Sequence, residues 1–186
     1  EAVVVLLAGK EEGDSRQILF CRDKNLEREI WDGFRYGPDA AREIFGFDEA
    51  YPIGELPNKF PELAGDRRAV YTPVGLYSHW DEAITKGLNE VRNRVRTGVA
   101  APETIVDARA PLAAMRLFKD EHELRCLRRA AEISSRAHRR AMERTRPGWF
   151  EYQVEAELAH EFLSSGAQAV AYPSIVASGP NACVLH

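Results

Sequence analysis

Apolar positions from Val3 to Leu7, a polar stretch from Gly9 to Asp14, and a second apolar run from Gln17 to Cys21 open the chain. Two short apolar runs around a Gly- and Asp-containing turn predict a β-hairpin. Pro38 to Phe45 carries proline at a first-turn position and Gly46 just past its end, the signature of a short helix. Ala69-Val70-Tyr71 reads as a strand. From Asp81, Ile84, Leu88, Val91 and Val95 recur at helical spacing until Gly98. Arg92, Arg94 and Arg96 cluster near the C-terminal end of that helix, where its dipole favours cations. Thr104 to Asp107 is a further strand, and the pattern is then helical as far as Gly166.

Within that helical stretch, one helix begins near Asp120, carries Leu124, Leu127, Ala131, Ala137 and Ala141 on one side, and ends at Pro147-Gly148. A second runs from Glu151 to Ser164 with Val154, Leu158 and Phe162 as its stripe and Gly166 as its stop. Together they predict a helical hairpin. Ala169 to Val176 and Cys183 to His186 then read as two strands joined by a Ser178-Gly179-Pro180-Asn181 turn. The organisation is α/β in two parts, with a domain boundary near Ala110-Pro111. Both chain ends are strand-like without a turn or cap, so the sequence is expected to start and stop in mid-fold.

Composition narrows the classes. At 45% hydrophobic and 29% charged residues, the chain can build real cores. A net charge of -4 provides no global positive field for nucleic acid or an anionic membrane. Eight arginines lie between Arg125 and Arg146, but Glu121 and Glu132 stand four residues before Arg125 and Arg136, and no aromatics interleave. That is a solvated face, not a nucleic-acid surface. No apolar run approaches the roughly 20 residues of a membrane span, and a cytoplasmic protein is expected. Cys21, Cys126 and Cys183 lack CxxC spacing and are expected to be reduced and structural.

Candidate chemistry is sparse. Gly9-Lys10 lacks the following Ser/Thr of a phosphate loop, and Glu11-Glu12 would repel phosphate. His79 near a helix start, His122 in a first turn, and His138 and His160 within helices among charged neighbours are assigned no function. His186 follows a Gly-Pro-Asn turn at a strand end and is the one suggestive histidine. Cys183 and His186, three residues apart on a strand, would point to opposite faces and cannot form a nucleophile-base pair. Neither G-x-S-x-G nor HExxH occurs. The residues alone name no reaction.

Met115 to Lys119, Glu123 to Ala130, Ala137 to Met142, Arg146-Pro147-Gly148 and Glu151-Tyr152, in that order, resemble the entry into the catalytic domain of the creatinase/prolidase "pita-bread" metallopeptidases. Tyr172 to His186 resembles the strand-turn-strand of that superfamily ending in a substrate-site histidine. Glu29-Ile30-Trp31 and Ala101 to Asp107 are similar to its amino-terminal domain, and the combined pattern is most like the aminopeptidase P branch.

The resemblance implies a partial mixed-sheet amino-terminal domain over 1–110, then, over 111–186, the first helical hairpin and strands of a pita-bread α+β domain. It implies an aminopeptidase cutting before a proline in second position. Two divalent metals, usually manganese, would be held by two Asp, one His and two Glu, all downstream of the position matching His186. The chain alone is therefore expected to bind no metal and to be inactive; Asp107 and Glu155 are not substitutes. His186 would contact substrate and stabilise the carbonyl oxygen. Trp31, from a neighbouring subunit of a homo-oligomer, and Arg96 match substrate-side positions. A prolidase acting on Xaa-Pro dipeptides, or a non-catalytic interaction module of the same fold, are the alternatives.

Overall fold

The computed structural model describes residues 2–9, 11 and 13–185, with the side chain of Val95 excepted. The chain divides into two compact units, Glu1–Ala114 and Met115–His186. The boundary expected from sequence, between Ala110 and Pro111, lies within a helix, Arg109–Met115.

In the first unit, β1 (Ala2–Leu7) and β2 (Arg16–Cys21) form the expected antiparallel hairpin, with Val3 opposite Phe20 and Val5 opposite Ile18. β3 (Glu49–Pro52), which periodicity did not reveal, pairs parallel to β2 and makes the sheet order β1-β2-β3. β2 is thus central, and Ile18, Leu19 and Phe20 are all buried, because a central strand is covered on both faces. Ile18, Phe20, Leu7 and Leu56 form one core, with Phe60 and Trp80 against it.

Between β2 and β3 lie two helices, α1 (Leu26–Asp32) and α2 (Gly37–Phe45). α1 is capped by Asn25, whose side chain accepts from the Arg28 N–H at 2.9 Å. α2 ends where expected, with Gly46 left-handed at φ 73°. α3 (Leu56–Ala64) begins with Pro57 in its first turn, where the missing N–H costs nothing. Pro61 inside α3 masked this helix in the sequence pattern.

β4 (Ala69–Thr72) and β5 (Thr104–Asp107) pair in parallel, linked through α4 (Ser78–Asn93). α4 starts three residues before Asp81, and the expected helical run to Gly98 ends in a 3₁₀ turn, Val95–Thr97. Leu88 and Val91 join Ala64 in a second core that Phe60 also contacts. Asp66 is the residue that ties the α3 end to this layer. It holds φ 57°, a region Asp tolerates, donates its N–H to the Ala100 carbonyl at 2.8 Å and accepts the Ala100 N–H at 2.9 Å. α5 (Arg109–Met115) follows β5.

The second unit is built on α6 (Glu121–Arg144) and α7 (Glu151–Ser164). Asp120 and Glu123 form a reciprocal capping box at 2.8 and 2.9 Å. Arg136 meets Glu161 at 3.0 Å and Arg140 meets Glu157 at 2.6 Å. Rising numbers on α6 thus face falling numbers on α7, which is the antiparallel hairpin expected.

The buried stripe of α6 keeps Ala137 of the expected one, adds Ile133, and leaves Leu127 and Ala131 outside it. Ile133 and Ala137 are buried, while Leu127 is 54% exposed and Ala131 is exposed. Alanines are small enough to suit either face, so the ion pairs and Ile133 set the rotation. Arg136 also turns away from Glu132, its expected partner, which pairs instead with Arg129.

The expected strands at Ala169–Val176 and from Cys183 are corrected. Residues 169–178 form neither helix nor strand, and Gly179–Cys183 is a 3₁₀ turn. Val184 is extended, at φ -101° and ψ 132°. Extended backbone becomes a strand only when a neighbour completes the hydrogen-bond ladder, and no described segment of this unit does so. The three thiols are free, with Cys21 partly buried and Cys126 and Cys183 exposed.

Candidate functional site

The region that leads to His186 is organised by one carboxylate. Glu151 is the first residue of α7, and its Oε1 accepts both the Ser178 backbone N–H at 2.7 Å and the Asn181 Nδ2 at 3.0 Å. The Ser178 bond, followed by the Asn181 bond, holds the Glu151 pKa below the ordinary glutamate range. The start of a helix adds a favourable field for an anion. Next to it, Gln153 accepts the Phe150 N–H at 2.8 Å and fixes the entry into α7. An open concavity of about 460 Å³ lies at this end of the helix, lined by Trp149, Phe150, Glu151, Tyr152, Ser178 and Asn181 among others. Phe150 and Tyr152 stack there, with ring centroids 5.6 Å apart and an interplanar angle of 8°.

His186, the expected catalytic residue, lies outside the described residues. The Ser178–Asn181 turn that precedes it is the one held by Glu151.

Trp31 lies on α1, which Asn25 starts. It is 83% exposed, beside Leu26, Ile30 and Phe34, also exposed. Lys24 closes the base of this projection: its Nζ reaches Glu29 and the Arg35 carbonyl, each at 3.1 Å, and sits 4.0 Å above the Phe34 ring. Arg96 is in the 3₁₀ turn after α4 and is exposed, the geometry of a helix end and of a side chain free to reach outward. Trp31 and Arg96 thus share the first unit but stand on separate elements.

The described residues do not fit a two-metal centre. No group of three or more His, Cys, Asp or Glu converges among them. Asp107 is engaged by Arg109, whose Nε lies 2.9 Å from both carboxylate oxygens, and these bonds hold the Asp107 pKa low. Arg109 in turn reaches the Val74 carbonyl at 2.8 Å, so this pair closes the end of β5. Glu155 lines the concavity one turn along α7 from Glu151, and the two carboxylates belong to no group of three or more such side chains among the described residues. No step of a metal-dependent reaction is assigned to these residues. Sequence reasoning passed over Glu151; the signal available to it was a glutamate at the first helical position followed, within the same unit, by a Ser-Gly-Pro-Asn turn.

Comparison with known proteins places these features in a class. Residues 1–71 match the aminopeptidase P, N-terminal domain family, and residues 125–186 match metallopeptidase family M24. The chain therefore carries, in this order, an aminopeptidase P amino-terminal segment and a metallopeptidase family M24 segment. It is 41% identical over all 186 residues to the Xaa-Pro aminopeptidase of Escherichia coli, and 33% identical to that of Haemophilus influenzae. It spans 42% and 41% of the length of those two relatives. Among solved structures it is similar to a glutamate-to-alanine variant of E. coli aminopeptidase P in complex with substrate, with a TM-score of 0.92. It is similar also to the zinc-substituted E. coli enzyme in complex with product, with a TM-score of 0.93. In both, the match covers 100% of this chain and 42% of the other, at 41% identity.

Proposed function

We propose that the chain supplies the amino-terminal domain (1–110) and the entry to the catalytic domain (111–186) of a dinuclear-metal aminopeptidase. That enzyme releases the amino-terminal residue from peptides with proline in second position. The observation that carries this reading is the order of two family segments in one chain, aminopeptidase P amino-terminal domain and then M24, with 41% identity running through both. That both relatives are Xaa-Pro aminopeptidases supports the substrate class.

In this reading the two divalent ions, manganese by family preference, are held by residues beyond His186, and polypeptide 1–186 by itself hydrolyses nothing. Two adjacent cations would lower the pKa of a bridging water and stabilise charge on attacking and departing groups. His186 is the catalytic histidine on the substrate carbonyl. Trp31 reaches a neighbouring subunit's site in a homo-oligomer, and Arg96 contributes on the substrate side. The exposed apolar surface around Trp31 supports the oligomer. Three free thiols accord with a reducing, cytoplasmic setting.

The test is hydrolysis of an Xaa-Pro-Xaa tripeptide and an Xaa-Pro dipeptide by the longest natural polypeptide carrying this sequence, before and after chelation and manganese return. Manganese-restored release of the first residue from the tripeptide is expected. Cleavage of the dipeptide alone would make it a prolidase, and no cleavage of either would favour a non-catalytic module.

A further inference from the structure

We propose that Glu151 is a positioning residue whose carboxylate locks the Ser178-Gly179-Pro180-Asn181 turn to the start of α7 and so sets the path of the chain into His186. What His186 does is taken from the aminopeptidase reading; the lock itself does not depend on it.

The turn has little else to hold it. Its own hydrogen bonds are local, Asn181 N–H to the Ser178 carbonyl at 3.1 Å and Val184 N–H to the Asn181 carbonyl at 3.0 Å. Residues 169–178 join no strand or helix. Among the described residues, the hydrogen bonds that tie this segment to the rest of its unit both end on Glu151 Oε1, from Ser178 N–H and Asn181 Nδ2. One reaches backbone and the other a side chain, so the turn is fixed in both place and orientation. A charged acceptor makes these stronger than ordinary hydrogen bonds. The lock spans 27 residues to Ser178 and 30 to Asn181, which makes it a tertiary tie and not a local cap.

The chemistry also says which substitution should be tolerated. Both donors converge on one oxygen, and the Oε1 of a glutamine is an acceptor with two lone pairs. Glu151→Gln can keep both bonds without the charge, whereas Glu151→Ala removes both.

The experiment measures hydrogen exchange at the Ser178 amide together with kcat and KM on an Xaa-Pro peptide, using the longest natural polypeptide carrying this sequence. Glu151→Ala should speed Ser178 exchange by roughly tenfold or more and lower kcat with KM little changed, because the histidine is misplaced while the remaining substrate contacts persist. Glu151→Gln should restore most of both. Wild-type exchange and kcat in Glu151→Ala would overturn the lock, as would a glutamine variant no better than alanine. Should Glu151→Ala fail to fold, Glu151→Asp, whose carboxylate is one methylene short of both donors, takes its place, and unchanged Ser178 exchange there overturns the proposal. Wild-type protein without Xaa-Pro peptidase activity would refute the aminopeptidase reading and leave the lock to be decided by the exchange data.

Discussion

Arg140 and Glu157 face one another across the α6–α7 hairpin, Nε to Oε2 at 2.6 Å, with 26% and 22% of their side-chain surfaces exposed. Partial shielding from water places this pair above the surface ion pairs that contribute almost nothing. A double-mutant cycle on Arg140→Ala and Glu157→Ala, read by chemical denaturation, should give a coupling of about 1 kcal/mol. The exposed Arg129–Glu132 pair, at 3.5 Å, should give a value near zero in the same experiment.

Gly87→Ala should destabilise the first unit although Gly87 lies inside α4. Alanine gains about 1 kcal/mol over glycine in a helix interior. A Cβ at this position, however, would overlap the Phe60 ring at Cδ1 and Cε1. Phe60 packs against both cores of the unit and has little room to yield. Overpacking costs about 1–3 kcal/mol, so a net loss is expected in thermal denaturation. A rise in Tm would mean that Phe60 moves freely.

Acid should loosen the helical hairpin. The Ser165 hydroxyl, and after it the Arg136 guanidinium, bond to Glu161 and hold its pKa below the ordinary glutamate range. A depressed folded-state value means that the unfolded chain takes up the proton first as pH falls. The contribution of Glu161 is therefore complete above the ordinary glutamate range and is lost as pH drops through its lowered value. Glu161→Gln should flatten the acid limb of a stability-pH profile, and an unaltered limb would assign acid loss to other carboxylates.

Trp31→Ala should separate folding from association. With 83% of the residue exposed, its removal should change stability by no more than about 0.5 kcal/mol. On the oligomer reading it should lower turnover and self-association while leaving metal content intact. Wild-type turnover and an unchanged sedimentation profile would remove Trp31 from the site.

Local elements were legible wherever punctuation and periodicity agreed. The β1–β2 hairpin, α2 before Gly46, and α7 between Glu151 and Ser164 follow directly from turn residues and apolar spacing. β3 and α3 were not, since β3 is only four residues long and α3 carries two prolines. The candidate site was legible in part. Trp31 and Arg96 came from resemblance and not from pattern, and a glutamate at a helix start does not announce a partner 27 residues away.

The sequence by itself determined the β1–β2 hairpin, α2, α6 and α7 with the residues at which they stop, and the family to which the chain is similar, because these depend on neighbours within a turn or two and on motif order. Tertiary structure decided which face of α6 is buried, that Arg136 pairs across the hairpin with Glu161 and not along its own helix with Glu132, and that Glu151 holds the turn before His186. Helical periodicity offers several nearly equivalent faces when a stripe is rich in alanine, and long side chains can reach either along a helix or across it. Only the packing of α7 against α6, and of the 178–181 turn against α7, selects among them.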